Sequence, residues 1–62
     1  MAMPSAVERV YRLHMASMGI EERSKYEDKV AGVEWDQKEQ VYIVRFESGD
    51  WWHYDVVNNT WY

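Results

Sequence analysis

The run from Gln40 to Val57, QVYIVRFESGDWWHYDVV, constrains the fold of this chain more than any other stretch. Two segments dense in β-branched and aromatic residues flank Glu47-Ser48-Gly49-Asp50. Such side chains fill a pleated, half-buried surface, so the run reads as a β-hairpin. A type I turn followed by a left-handed glycine closes a three-residue loop, the glycine forming a G1 bulge. Glu47, Ser48 and Gly49 suit that loop and set the register. Phe46 then faces Asp50, Val44 faces Trp52 and Tyr42 faces Tyr54. The alternate pairs are Arg45 with Trp51, Ile43 with His53 and Val41 with Asp55. Paired residues point to one side of a sheet, so the hairpin has two unlike faces. Tyr42, Val44, Phe46, Trp52, Tyr54 and Val56 make a uniformly apolar or aromatic face. Val41, Ile43, Arg45, Trp51, His53 and Asp55 make a mixed one. A slip of one residue would destroy that segregation, so the first set is assigned to the core.

The hairpin extends on both sides. If Gln37 to Gln40 form a four-residue loop, Val30 to Asp36 (VAGVEWD) becomes a preceding strand. Asp36 then faces Val41, Trp35 faces Tyr42 and Val33 faces Val44, which places Trp35 and Val33 on the core face. Glu34 lies beside Ile43 and diagonal to Arg45. Asn58-Asn59 suits a two-residue turn, because asparagine tolerates positive φ. Thr60, Trp61 and Tyr62 would then add a strand stub, with Val56 opposite Trp61 and Asp55 opposite Tyr62.

Upstream, Ser5-Ala6-Val7-Glu8 matches a capping box and predicts a helix from about Ala6 to Met18. Val7, Val10, Tyr11, His14 and Met18 are spaced along one helical face. Gly19 suits a left-handed C′ position with Ile20 folding back on the last turn, as in a Schellman motif. Met1 to Pro4 reads as a loose end. Residues 20–29 are almost wholly charged, and Ser24-Lys25-Tyr26-Glu27 matches a second capping box. A short helical turn, a solvated connector and a helix continuing through Gly19 all fit. A break at Gly19 is preferred, with Tyr26 as the anchor to the core. The expected fold is α+β: one N-terminal helix on a three-stranded antiparallel meander with a short fourth strand, in a single domain over residues 1–62. The core should bury Trp35, Val44, Trp52 and Tyr54 against Val10.

Totals narrow the function classes. A chain of 62 residues buries only about 60% of its unfolded surface, so its stability is marginal without help. The absence of cysteine excludes disulfides and thiolate zinc sites, whereas four tryptophans and five tyrosines supply burial area. A net charge of −4 argues against a general nucleic-acid binder and suits a basic partner. No apolar run approaches the roughly 20 residues of a membrane span, and no signal-peptide pattern opens the chain. A cytoplasmic location is therefore expected.

The segments VEWDQKEQVYIVRF and FESGDWWHYDV resemble the KTSC domain over residues 30–57. The shared features are a strand, a turn, then an F-x-x-G turn into an aromatic-x-Tyr strand. That family is a small α+β module found alone and attached to some lysyl-tRNA synthetases. The resemblance implies a meander and carries no catalytic residues. Here the helix comes first.

No motif assigns chemistry. His14 lies on the apolar helical stripe beside Met15 and Met18. It reads as a core-edge histidine, since no second or third metal ligand converges on it. His53 shares the mixed face with Glu34, Arg45, Trp51 and Asp55, where it could serve as a general base or a pH-sensitive contact. No nucleophile, phosphate loop or deep cleft accompanies it, so a hydrolase is a distant third reading. No metal or cofactor is expected.

The apolar signal is stronger. One helix covers one side of a sheet, which leaves Val41, Ile43, Trp51, Val57 and Tyr62 on an outward face unless residues 20–29 or the N-terminal arm cover it. Contiguous exposed aromatic area marks binding surfaces, and Trp, Tyr and Arg carry much interface energy. The expectation is a non-enzymatic protein-binding module using Ile43, Arg45, Trp51, His53, Asp55 and Tyr62. Its partner would be a second copy or another protein, in the manner of small bacterial and phage adaptors or inhibitors. Arg45, opposite Trp51, is expected in cation–π contact. The alternative is a ligand or single-stranded nucleic-acid binder stacking on Trp51, His53 and Tyr62.

Overall fold

The computed structural model describes residues 3–62. A helix α1 (Ser5–Ala16) is followed by a single helical turn α2 (Ile20–Arg23). Four strands then run β1 (Val30–Asp36), β2 (Val41–Phe46), β3 (Trp51–Asp55) and β4 (Thr60–Trp61). They form one antiparallel sheet in the order β1-β2-β3-β4, so the architecture is α+β.

The hairpin register is the expected one. Tyr42, Ile43, Val44 and Arg45 pair with Tyr54, His53, Trp52 and Trp51. Gly49 takes φ +97°, and the Phe46 amide donates to the Asp50 carbonyl at 2.9 Å, which closes the three-residue loop. On the other side Asp36, Trp35, Glu34 and Val33 pair with Val41, Tyr42, Ile43 and Val44. The β1–β2 register shifts between Val30 and Gly32, inserting Ala31 as a bulge.

The fourth strand is displaced by two residues from expectation. Tyr54 pairs with Trp61 and Asp55 with Thr60, and His53 and Tyr62 exchange backbone hydrogen bonds of 2.9 and 3.0 Å. The cause is Asp55. Its carboxylate accepts the Val57 and Asn58 amides and the Asn58 side chain, so the loop widens to residues 56–59 with Asn59 left-handed at φ +53°. A shift of two preserves the faces, so Trp61 still points to the core side and Tyr62 to the other.

Both helix ends differ from the sequence reading. Pro4, at φ −56° and ψ 145°, is the N-cap; its carbonyl accepts the Glu8 amide at 3.0 Å. Ser5 is therefore already inside the first turn and makes no capping bond. Glu8 does not reach back and instead pairs with Arg12 at 2.8 Å. At the other end Ser17 Oγ donates to the His14 carbonyl at 2.6 Å, and the Ser17 and Met18 amides take carbonyls of the last turn. These short-range bonds satisfy the helix end without a left-handed glycine. Gly19 is extended (φ −70°, ψ 168°) and opens α2, while Ile20 stays exposed. The Schellman motif is thus absent. Ser24 is the C-cap of α2, with Oγ donating to the Glu21 carbonyl, so the second capping box does not form either.

The core lies between α1 and one face of the sheet. Val7, Val10, Met15, Met18, Tyr26, Val44, Phe46 and Tyr54 are its buried members. Tyr26 anchors the connector as expected, edge-on to Phe46, its hydroxyl donating to Asp50 at 2.8 Å. The Asp50 carboxylate, which accepts that hydrogen bond, is the main reason the Tyr26 pKa is raised. Met3 packs against the cluster rather than hanging loose; Met1 and Ala2, also read as a loose end, lie outside the described residues. Trp35 departs most from expectation. It sits on the core side of β1 against Tyr42 (ring centroids 4.9 Å apart) yet is 50% exposed. The helix packs over β3 and β4, so the β1 corner of that face is left open.

Candidate functional site: the outer face of the sheet

The chain from Met18 to Lys29 stays on the helix side. Tyr26 belongs to the core, the Asp28 amide donates to the Tyr11 hydroxyl at 2.9 Å, and the Lys29 carbonyl accepts the Glu47 amide at 2.8 Å. This connector therefore does not cover the opposite face, where the residues singled out in the sequence come together.

At the β3–β4 end lies a continuous aromatic row. His53 stacks on Tyr62 with centroids 4.6 Å apart and planes 5° from parallel, and Trp51 meets His53 edge-on at 5.1 Å. The backbone pairing of His53 with Tyr62 sets that stack, and a further contact of 3.3 Å runs from His53 Nδ1 to the Tyr62 carbonyl. Trp51 is 53% and Tyr62 57% exposed, so the row is open at both ends while His53 is half-buried between them. Trp51, Trp52, His53 and Tyr62 line a shallow, mainly apolar cleft. Trp52 is the member that sequence reading placed only in the core. Its indole Nε1 is buried without a hydrogen-bond partner among the described residues.

Arg45 lies opposite Trp51 as expected, but it makes no cation–π contact with that ring among the described residues. Its Nε donates to Glu34 Oε1 at 2.6 Å. A full carboxylate charge outcompetes the ring quadrupole for an exposed guanidinium. Ile43 is half-buried between the Glu34 and His53 positions, and Val41 is buried on this face although outside the helix-side core. Asp55 has a different role from the one expected. Its hydrogen bonds with Asn58, and that with Val57, hold its carboxyl below the usual range and commit it to building the turn.

A second histidine–aromatic cluster occupies the inner face. His14 is 1% exposed, meets Trp52 edge-on at 4.6 Å and stacks on Trp61 at 5.0 Å. Its Nδ1 shares a hydrogen bond of 2.7 Å with the Tyr54 hydroxyl. Burial lowers its pKa from 6.5 to about 4 and raises that of the Tyr54 phenol. The histidine is neutral and structural there, consistent with the sequence reading.

A larger cleft of about 770 Å³ opens between α1 and the connector, lined by Tyr11, Met15, Arg23 and Val30 among others. Among the described residues no three His, Asp or Glu side chains gather closely enough to hold a metal ion, and no helix is long and apolar enough to cross a membrane. No family model, curated protein or solved structure matches this chain.

Proposed function

We propose that this chain is a cytoplasmic, non-enzymatic protein-binding module whose contact surface is the outer face of the sheet. The observation that carries the reading is the open Trp51–His53–Tyr62 row. A small monomer has no folding need for a half-exposed tryptophan and tyrosine flanking a stacked histidine, whereas such aromatic patches are where interface energy concentrates. The Glu34–Arg45 pair and Ile43 form the polar and apolar margin of the patch.

Light scattering over a concentration series tests whether the partner is a second copy, and parallel capture with wild-type and Trp51→Ala bait tests for another protein. Trp51→Ala should weaken the complex by about 2 kcal/mol or more, roughly 30-fold, with the melt intact. A complex that survives Trp51→Ala and Tyr62→Ala unchanged would overturn the reading. The near-parallel His53–Tyr62 stack also favours a second reading, a platform for a planar ligand or nucleobase. The net charge of −4 and the engagement of Arg45 by Glu34 weigh against a phosphate-bearing ligand.

A further inference from the structure

The free edge of β1 offers a second site, independent of the aromatic row. Successive residues of an antiparallel strand send their N–H and C=O groups to opposite sides. In β2 the Phe46 amide bonds to Asp50 on the β3 side, and the next residue, Glu47, bonds to Lys29 on the β1 side. The odd-numbered positions of β2 therefore serve β1. Through the observed register they engage Gly32, Glu34 and Asp36. Val33 and Trp35 consequently turn their N–H and C=O groups outward, and no hydrogen bond among the described residues reaches them. The side chains of these same residues lie on the helix side of the sheet, and Trp35 is the half-exposed tryptophan that α1 leaves uncovered. Edge strands are ordinarily blunted by lysine, proline or bulges. The sequence VAGVEWD contains neither lysine nor proline, and its bulge sits at Ala31, away from Val33 and Trp35.

We infer that this edge accepts an extended segment of a partner protein as a fifth strand, one that alternates apolar with basic residues. Apolar positions would lie along Val33 and Trp35 on one side, and basic positions along Glu34 and Asp36 on the other. Arg45 holds Glu34 Oε1 and the Lys38 and Glu39 amides hold Asp36 Oδ1, which leaves Glu34 Oε2 and Asp36 Oδ2 without a bond among the described residues. Charge selects this occupant over a second copy. Two β1 strands paired about Glu34 set that carboxylate against its own copy, and pairing about Trp35 sets Glu34 against Asp36. Pairing about Val33 avoids both clashes but runs into the bulged residues, and the net charge of −4 opposes every such dimer.

The probe is a short blocked peptide alternating lysine and valine, titrated into the whole chain and followed by amide hydrogen exchange and Trp fluorescence. Bound peptide should slow exchange at the Val33 and Trp35 amides at least tenfold and leave Glu34 and Asp36, already bonded, unchanged. Trp35→Ala should weaken binding at least tenfold, with the fold checked by its melt. Trp51→Ala should have no effect. N-methylation of the peptide on one edge should abolish binding, and on the other edge leave it intact. Replacing its lysines with glutamates should abolish binding as well. Equal binding by both N-methylated peptides would overturn the proposal, as would tight binding by the glutamate peptide. So would protection of Val33 and Trp35 that rises with protein concentration alone, since the occupant would then be a second copy. Binding lost in Trp51→Ala but kept in Trp35→Ala would place the peptide on the aromatic row, sinking this inference and leaving the proposed function standing.

Discussion

The two faces of the β3–β4 pair carry nearly the same residues and put them to different uses. On the inner face Trp52, Tyr54 and Trp61 enclose His14; on the outer face Trp51 and Tyr62 flank His53. The strand members of the two sets interleave along β3 and into β4, while His14 comes from α1. What separates them is α1, which packs over β3 and β4 on one side only. Under the helix the histidine is dry, and burial drives its pKa to about 4. On the other side the same ring types remain half-exposed and available. Side-chain chemistry alone therefore does not decide whether an aromatic–histidine cluster is core or surface; the layer above it does.

The largest expected effect tests that difference directly. Trp52→Ala should cost about 3–5 kcal/mol, near the whole stability of a domain this small, because it empties the wall of the His14 cage. Trp51→Ala should change the melting free energy by less than about 1 kcal/mol. Equal unfolding by both substitutions, measured by urea titration, would mean that the outer face is also core.

Acid comes next. The folded state holds His14 neutral down to about pH 4, whereas the unfolded chain protonates it near 6.5. Between those values the unfolded state binds the extra proton. The contribution is therefore complete above about pH 6.5 and is lost as pH falls to about 4, a total of roughly 3 kcal/mol. The difference between wild-type and His14→Gln stability should shrink over that window. An unaltered slope in His14→Gln would show that other groups govern the acid response.

A smaller effect concerns the clasp between the helix and the β3–β4 turn. Arg9 Nε donates to Asn59 Oδ1 at 2.8 Å and its Nη2 reaches the Val56 carbonyl at 3.3 Å. Arg9→Ala should cost about 0.5–1 kcal/mol. Amide exchange at Tyr62 should accelerate before that of Val44, since β4 is the shortest strand, carries Trp61 of the inner cluster and leads directly into Tyr62 of the outer one. Uniform acceleration throughout the sheet would show instead that β4 does not open separately.

The smallest effect fixes where the helix that divides the faces begins. Ser5 makes no capping bond, so Ser5→Ala should alter stability by less than about 0.5 kcal/mol. A loss of 1 kcal/mol or more in thermal denaturation would place the N-cap at Ser5 rather than Pro4.

Where the sequence reading succeeded and failed follows from the range of the forces involved. The β2–β3 register was legible because a single glycine and a period of two determine it locally. The β1–β2 register followed from the length of residues 37–40 between strands of matching pattern. The helix caps were misread because serine motifs at positions 5 and 24 compete with neighbours whose backbones satisfy the same groups. Pro4 supplied the first carbonyl, and Ser17 closed the end before Gly19 was needed. The β4 slip came from Asp55, read as a surface carboxylate but folded into its own turn.

By itself, then, the sequence determined the α+β class, the pairing of the first three strands, and the sorting of Trp51 from Trp52 and Tyr62 from Trp61. Alternation along a strand allows no other sorting once the turn is set. Tertiary structure alone decided which members of each face are wet. The helix axis over β3 and β4 buries His14 with Tyr54 yet leaves Trp35, on the same face, half-exposed at the β1 corner. The packing angle of a helix depends on the summed contacts of many side chains across the layer, and no local spacing in the chain encodes it.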